Sequence, residues 1–107
     1  MTTFNDRERG EEARFRHDQE LGFKVRNRRN KLFGLWLADE YLGLTGDKAT
    51  DYAKDVVMAD FEAPGDADMM RKVKDDLSAA GKTVSDHLLD KRLRELEGLA
   101  RQQVQSE

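Results

Sequence analysis

The chain has 107 residues, enough for one domain of ordinary size. Charged residues make up 38% of it and aromatics only 7%, while Leu, Val, Phe and Ile together reach about 21%, so a core is possible but small. Val, Ile and Thr number 11, too few for an all-β domain or a doubly wound sheet, and the abundance of Ala, Leu, Glu, Lys and Arg with a single Pro favours helices.

No run of about 18 apolar residues exists to span a membrane. The charged start, Met1 to Asp18, lacks the apolar core of a secretory signal. Cysteine is absent, which excludes disulfides, thiolate metal sites and cysteine nucleophiles and fits a reducing compartment. The net charge of −3 carries no nucleic-acid footprint.

Residues 1–31 contain seven of the 40 apolar side chains. Such a polar segment cannot offset its own ordering entropy, so residues 1–18 are expected to form a flexible, charged arm and residues 19–107 a folded domain. Charge is zoned as well. Lys24 to Lys31 holds five bases and no acid, and residues 39–68 hold nine acids against Lys48 and Lys54. The two zones can attract each other within one compact body.

The first helix is expected to begin after Asp18 and to run to Leu44, with Leu21, Val25, Leu32, Leu35, Trp36 and Leu42 as its apolar stripe. Trp36 would be a core anchor. Gly22 and Gly34 weaken this helix, and Gly43 and Gly46 mark its end. A second helix would start after Asp47 and run to about Phe61, with Ala49, Tyr52, Ala53, Val56, Val57 and Asp60 recurring on one face. Ala63-Pro64-Gly65 breaks it. A third helix follows Asp66 as cap, with Met70, Val73, Leu77 and Ala80 inward, and stops at Gly81. Thr83 or Ser85 caps the fourth, whose face carries Leu89, Leu93, Leu96 and Ala100, with Leu88 and Leu99 beside it; after Arg101 the chain would fray. Short connections make neighbouring helices antiparallel. The expected fold is all-α: a small four-helix bundle with the arm attached.

Catalytic chemistry is sparse. Gly81-Lys82-Thr83 resembles the end of a phosphate loop, but the position where that motif needs an earlier Gly is Asp76, and a helix precedes it, so a helix stop is the better reading. His17 and His87 lack metal-site spacing, no Gly-x-Ser-x-Gly turn is present, and Asp75-Asp76 point apart on a helix. No catalytic residue and no metal ligand is assigned. Lys24, Arg28 and Lys31 flank the apolar stripe with few aromatics to stack on bases, which argues against nucleic acid, and the nearby acids argue against a membrane surface.

In the arm, Phe4 and Phe15 are the large apolar groups, and their spacing of 11 residues is about three helical turns. On a helix both would lie on one side and could anchor it in a groove of a partner. Around them Arg7, Glu8, Arg9, Glu12, Arg14 and Asp18 would supply polar rim contacts.

Several runs of residues are similar to one family. The opening Met1-Thr2-Thr3-Phe4-Asn5-Asp6-Arg7-Glu8-Arg9, with Phe15 and His17-Asp18, resembles the amino terminus of the zeta subunit of alphaproteobacterial F-type ATP synthases. So does Arg29-Asn30-Lys31-Leu32-Phe33-Gly34-Leu35-Trp36, and Tyr52-Ala53-Lys54-Asp55-Val56-Val57 and Ala63-Pro64-Gly65-Asp66 follow in the family's order. The resemblance implies a four-helix regulatory protein and not an enzyme. Its mobile amino-terminal segment would enter the catalytic head between alpha and beta subunits, near gamma, become helical there and block ATP hydrolysis and reverse rotation, a role analogous to that of the mitochondrial ATPase inhibitor. It further implies a monomer when free, held at the cytoplasmic face of the inner membrane through the synthase. The family has been associated with weak nucleotide binding, which no phosphate loop here supports, so no cofactor is assigned. Gly10 and Gly22 stand where the family more often has helix formers. A helical adaptor that docks to some other assembly through the same arm is the alternative reading.

Overall fold

The computed structural model describes the backbone of residues 2–61 and 65–107 and the side chains of 19–61 and 65–107. Four α-helices and no strand are present among them: α1 (Thr2–Leu37), α2 (Gly46–Ala59), α3 (Ala67–Ala79) and α4 (Asp86–Gln105). The body is elongated, 66 × 25 × 22 Å, because α1 alone is 36 residues long and rises about 1.5 Å per residue.

The first helix starts far earlier than its apolar spacing suggests. Helical bonding is internal to the backbone, so a helix need not begin where its apolar spacing begins. At its other end α1 widens into a π-segment, Ala38–Leu42, closed by Gly43 at φ +64°, whose N–H bonds to the Ala38 carbonyl. Leu44 donates to that carbonyl too, at 2.9 Å. The expected stop at Gly43 and Gly46 is therefore present, and Gly46 is likewise left-handed.

The other three helices follow their apolar spacing closely. On α2, Ala49, Tyr52, Ala53, Val56 and Ala59 are buried and Asp60 beyond its end is too; the helix starts after Thr45 instead of Asp47. On α3, Val73 and Leu77 are buried as expected, but Met69 replaces Met70 at the centre of the face and Ala80 is exposed. On α4, the Ser85 hydroxyl accepts from the Leu88 N–H at 3.1 Å and caps the helix. Leu89, Leu93, Leu96 and Ala100 are buried, while Leu88 and Leu99 are largely exposed. The expected fraying after Arg101 does not occur: α4 continues to Gln105 because Val104 packs with Val25 and Ala100.

The stripe assigned to α1 has the wrong centre. Phe33 and Leu37 are fully buried, and Val25, Asn30, Gly34 and Ala38 are buried with them, whereas Leu21, Leu32, Leu35, Trp36 and Leu42 are only half-buried at the flanks. The inward face also holds Arg29 and Asn30, polar residues that an apolar count leaves out. Gly34 is there because the chain needs its lack of a side chain: a Cβ would meet the Ala53 Cα of α2 at 2.7 Å. Trp36 instead stacks on Phe33 (5.9 Å), meets Tyr41 edge-on (5.4 Å) and lies under the Arg92 guanidinium.

Both partners of α1 run against it. Residues 26 and 30 meet Asp60 and Gly34 meets Ala53, while Val25 packs with Val104, Arg29 reaches Glu97 and Trp36 meets Arg92. The third helix packs on α2, where the Tyr52 hydroxyl donates to Asp76 at 2.9 Å.

Candidate functional site

Where α1 leaves the bundle, its basic residues are tied down by acids from three other segments. Arg26 donates to both oxygens of Asp60, at 2.5 and 2.9 Å, and to the Gly65 carbonyl at 3.0 Å. The Asn30 amide, wholly buried, donates to the same carboxylate at 2.7 Å. One turn away Arg29 donates to Asp66 at 2.7 Å and to Glu97 of α4 at 3.3 Å, and its guanidinium lies 3.9 Å from Asp60. Arg28 reaches Gln103 at 3.0 Å and pairs with Glu107. The expected attraction between the basic and acidic zones thus becomes a clamp of named pairs. It fixes α1 to α2, to the turn before α3 and to the end of α4.

The clamp is electrostatically locked. Burial alone would push the Asp60 carboxyl up, but hydrogen bonds from Arg26 and Asn30 and the charges of Arg26 and Arg29 outweigh it and hold the group below its ordinary value. Its partner Arg26 is raised, first by the hydrogen bond to Asp60 and then, against the cost of burial, by the charges of Asp60 and Asp66. Asp66 precedes α3 without capping it through its side chain, since its carboxylate is engaged by Arg29. Groups held this firmly in one protonation state suit a static anchor better than proton transfer.

Gly81-Lys82-Thr83 is spent on ending α3: Gly81 is left-handed at φ +72°, and Lys82 donates back to Leu77 at 2.9 Å. Among the described residues no group of three or more His, Cys, Asp or Glu is placed to hold a metal, and no helix is long and apolar enough to cross a membrane.

Beyond the clamp, towards the amino terminus, support ends quickly. Gln19, Glu20, Gly22, Phe23 and Lys24 are exposed and Leu21 is half-buried. An anchored helix that projects past its bundle is a natural carrier for a docking segment. The family model for the ATPase inhibitor subunit zeta matches residues 1–103, the projecting half of α1 as well as the bundle. The chain belongs to the ATPase inhibitor subunit zeta family. A regulatory role on the ATP synthase follows from membership of a family of inhibitor subunits. No curated protein matches the chain.

The side chains expected to make the zeta protein's partner contacts, Phe4, Arg7, Glu8, Arg9, Glu12, Arg14, Phe15 and Asp18, lie outside the described residues; the backbone that carries them is the first half of α1. His17 and Gly10 fall in the same stretch. The clamp was not foreseen residue by residue. Its sequence signals were the charge zoning and an Asp at position 60 on an otherwise apolar face.

Proposed function

We propose that this zeta protein inhibits the F-type ATP synthase by inserting residues 1–18 at a catalytic interface between alpha and beta subunits, near gamma, so that hydrolysis and reverse rotation stop while the bundle stays outside. Phe4 and Phe15 would bury in the groove, and Arg7, Glu8, Arg9, Glu12, Arg14 and Asp18 would line its edge.

The observation that carries this reading is the family match, which runs through the arm from residue 1. A physical argument supports it. Among the described residues the buried side chains of α1 begin at Val25 and the clamp begins at Arg26, so residues 25–37 give the helix a root in the bundle. A blocking element of this kind needs such a root, because a segment free to swivel would transmit no resistance to rotation. Insertion takes no chemistry from the inhibitor, only shape, two apolar anchors and the strength of their burial.

The test is ATP hydrolysis by the isolated catalytic head with added protein, and circular dichroism in parallel. Full-length protein should inhibit. Deletion of residues 1–18 should abolish inhibition and leave the helical bundle, and Phe4→Ala with Phe15→Ala should do most of the same damage. Charge reversal at Arg7, Glu8, Arg9 or Glu12 should weaken inhibition less and make it more dependent on salt. A truncated, folded protein that still inhibits at full strength would move the inhibitory surface onto the bundle.

A further inference from the structure

Five large apolar side chains are conspicuously exposed among the described residues, and two of them sit together. Phe23 of α1 is 55% exposed and stacks on Phe61, which follows α2 and is 51% exposed, with ring centroids 5.7 Å apart. Met58, 62% exposed, lies three residues before Phe61. Two phenyl rings that cover each other and still leave half their surface in water form an unfinished apolar contact. Beside them a groove of about 420 Å³ crosses the outward side of α1, bounded by Val57 and Phe61 on one wall and by Val104 on the other. Lys24 and Lys31 line it and are exposed, and Lys54 is exposed one turn before Met58. The ion pairs among the described residues engage Arg26, Arg28 and Arg29 but none of these three lysines. The result is an aromatic centre with exposed lysines at its edge, on a chain whose net charge is negative; the acid that lines the groove, Glu107, is taken up by Arg28.

We propose that this patch is a second docking contact, one that seats the bundle against the catalytic head once the arm is in place, and that the complementary surface on the head has an apolar centre and acidic side chains at its edge. The proposal rests on the reading of the arm given above. Continuity argues for the same partner. Phe23 lies five residues beyond Asp18 on one unbroken helix, which is about 7.5 Å of rise, so whatever holds the arm brings the head's surface to the patch. Charge complementarity argues for the acidic edge. The arm and Phe23 of the patch lie on one helix. The linkage makes the second contact intramolecular and so adds to residence time.

The experiment uses the full chain and the isolated catalytic head, with binding and release followed on immobilised head and hydrolysis in solution. Phe23→Gln with Phe61→Gln should release on the order of tenfold faster than wild type, yet still inhibit fully at saturation, because the arm is intact. Lys24→Glu with Lys31→Glu should slow association and abolish its acceleration at low salt. Phe4→Ala with Phe15→Ala should lose inhibition and keep weak binding, which the added Phe23→Gln and Phe61→Gln then remove. Wild-type release and half-inhibition in both patch variants would overturn the proposal. If the arm variant inhibits normally, the arm reading fails, and the patch is judged on the release rate alone. A change in the sedimentation of the free protein, with head binding untouched, would make a second copy the occupant and also overturn it. The lysine pair decides the matter if the phenylalanine pair does not fold.

Discussion

From Val25 to Ala38 the first helix buries a side chain or a glycine at every turn, whereas from Gln19 to Lys24, on the same helix, only Leu21 is even half-buried. Backbone geometry is the same in both stretches, so the difference lies in what the side chains meet. The rooted stretch is held by Phe33 and Leu37 in the core, by close approach at Gly34, and by Arg26, Arg29 and Asn30 on acids of other segments. The projecting stretch has none of these. Its described contacts are the half-buried Leu21 beside Val25 and Val104 and the exposed stack of Phe23 on Phe61, and a helix draws most of its stability from packing, so the two stretches differ in stability even where they do not differ in shape. Under the proposed mechanism that difference is useful, since one half stays fixed while the other is available to a partner.

The sharpest way to break the comparison is to unfasten the rooted half. Asp60→Ala leaves Asn30 without its acceptor, Arg26 with the Gly65 carbonyl but without that carboxylate, and the nearly buried Arg29 without one of its acids. Loss of one partner of a buried pair costs about 3–5 kcal/mol; Arg26 can turn to solvent, which puts the expected loss near the lower figure, measured by urea unfolding. The pH dependence follows from the depressed carboxyl of Asp60. Its contribution is complete above the ordinary carboxylate range and is lost as pH falls through its own lower value. The advantage of wild type over Asp60→Asn should therefore persist at about pH 5 and fade only in stronger acid. A difference already gone at that pH would mean the clamp does not hold Asp60 ionised.

Trp36→Ala tests the revised phase of α1. A fully buried Trp would cost about 3–5 kcal/mol. At the edge of the core, where its contacts are Phe33, Tyr41 and Arg92, about 2 kcal/mol is expected, with a modest fall in melting temperature. A loss as large as that of Asp60→Ala would restore Trp36 to the centre of the core.

Helices α2 and α4 were legible because their inward faces are almost wholly apolar, so period and burial coincide: Ala49, Tyr52, Ala53 and Val56 on one, Leu89, Leu93, Leu96 and Ala100 on the other. The inward face of α1 was not. It carries Arg29, Asn30 and Gly34, three residues that a search for apolar spacing scores against burial, while Leu35 and, in the π-segment, Leu42 score as its centre but lie half-buried at its flanks. The pairing of Asp60 with Arg26 spans 34 residues and could be anticipated only as attraction between zones. The patch at Phe23 and Phe61 was invisible for the same reason, since stacking between α1 and the turn after α2 is set by the fold and not by local order. For residues 1–18, composition only set the segment apart, and the family resemblance is what points to a partner for it.

The smallest expected effects lie at two glycines of one helix and should have opposite signs. In an exposed helix position Gly→Ala gains about 1 kcal/mol from propensity alone. At Gly34 that gain is overridden, because the new Cβ would sit 2.7 Å from the Ala53 Cα and 3.3 Å from a Val56 methyl, so α1 and α2 must part. Overpacking costs about 1–3 kcal/mol, and a net loss of about 1 kcal/mol is expected for Gly34→Ala. At Gly22 nothing lies within 4 Å of the added carbon. Gly22→Ala should therefore stabilise the chain by up to about 1 kcal/mol. Its site is the junction between the rooted and the projecting halves, so the gain belongs to helix propagation out of the bundle. Hydrogen exchange should show it as added protection in residues near Gly22 and not in the core around Phe33. Gain without added protection there would mean that the junction was already as rigid as the root, and the contrast between the two halves of α1 would vanish.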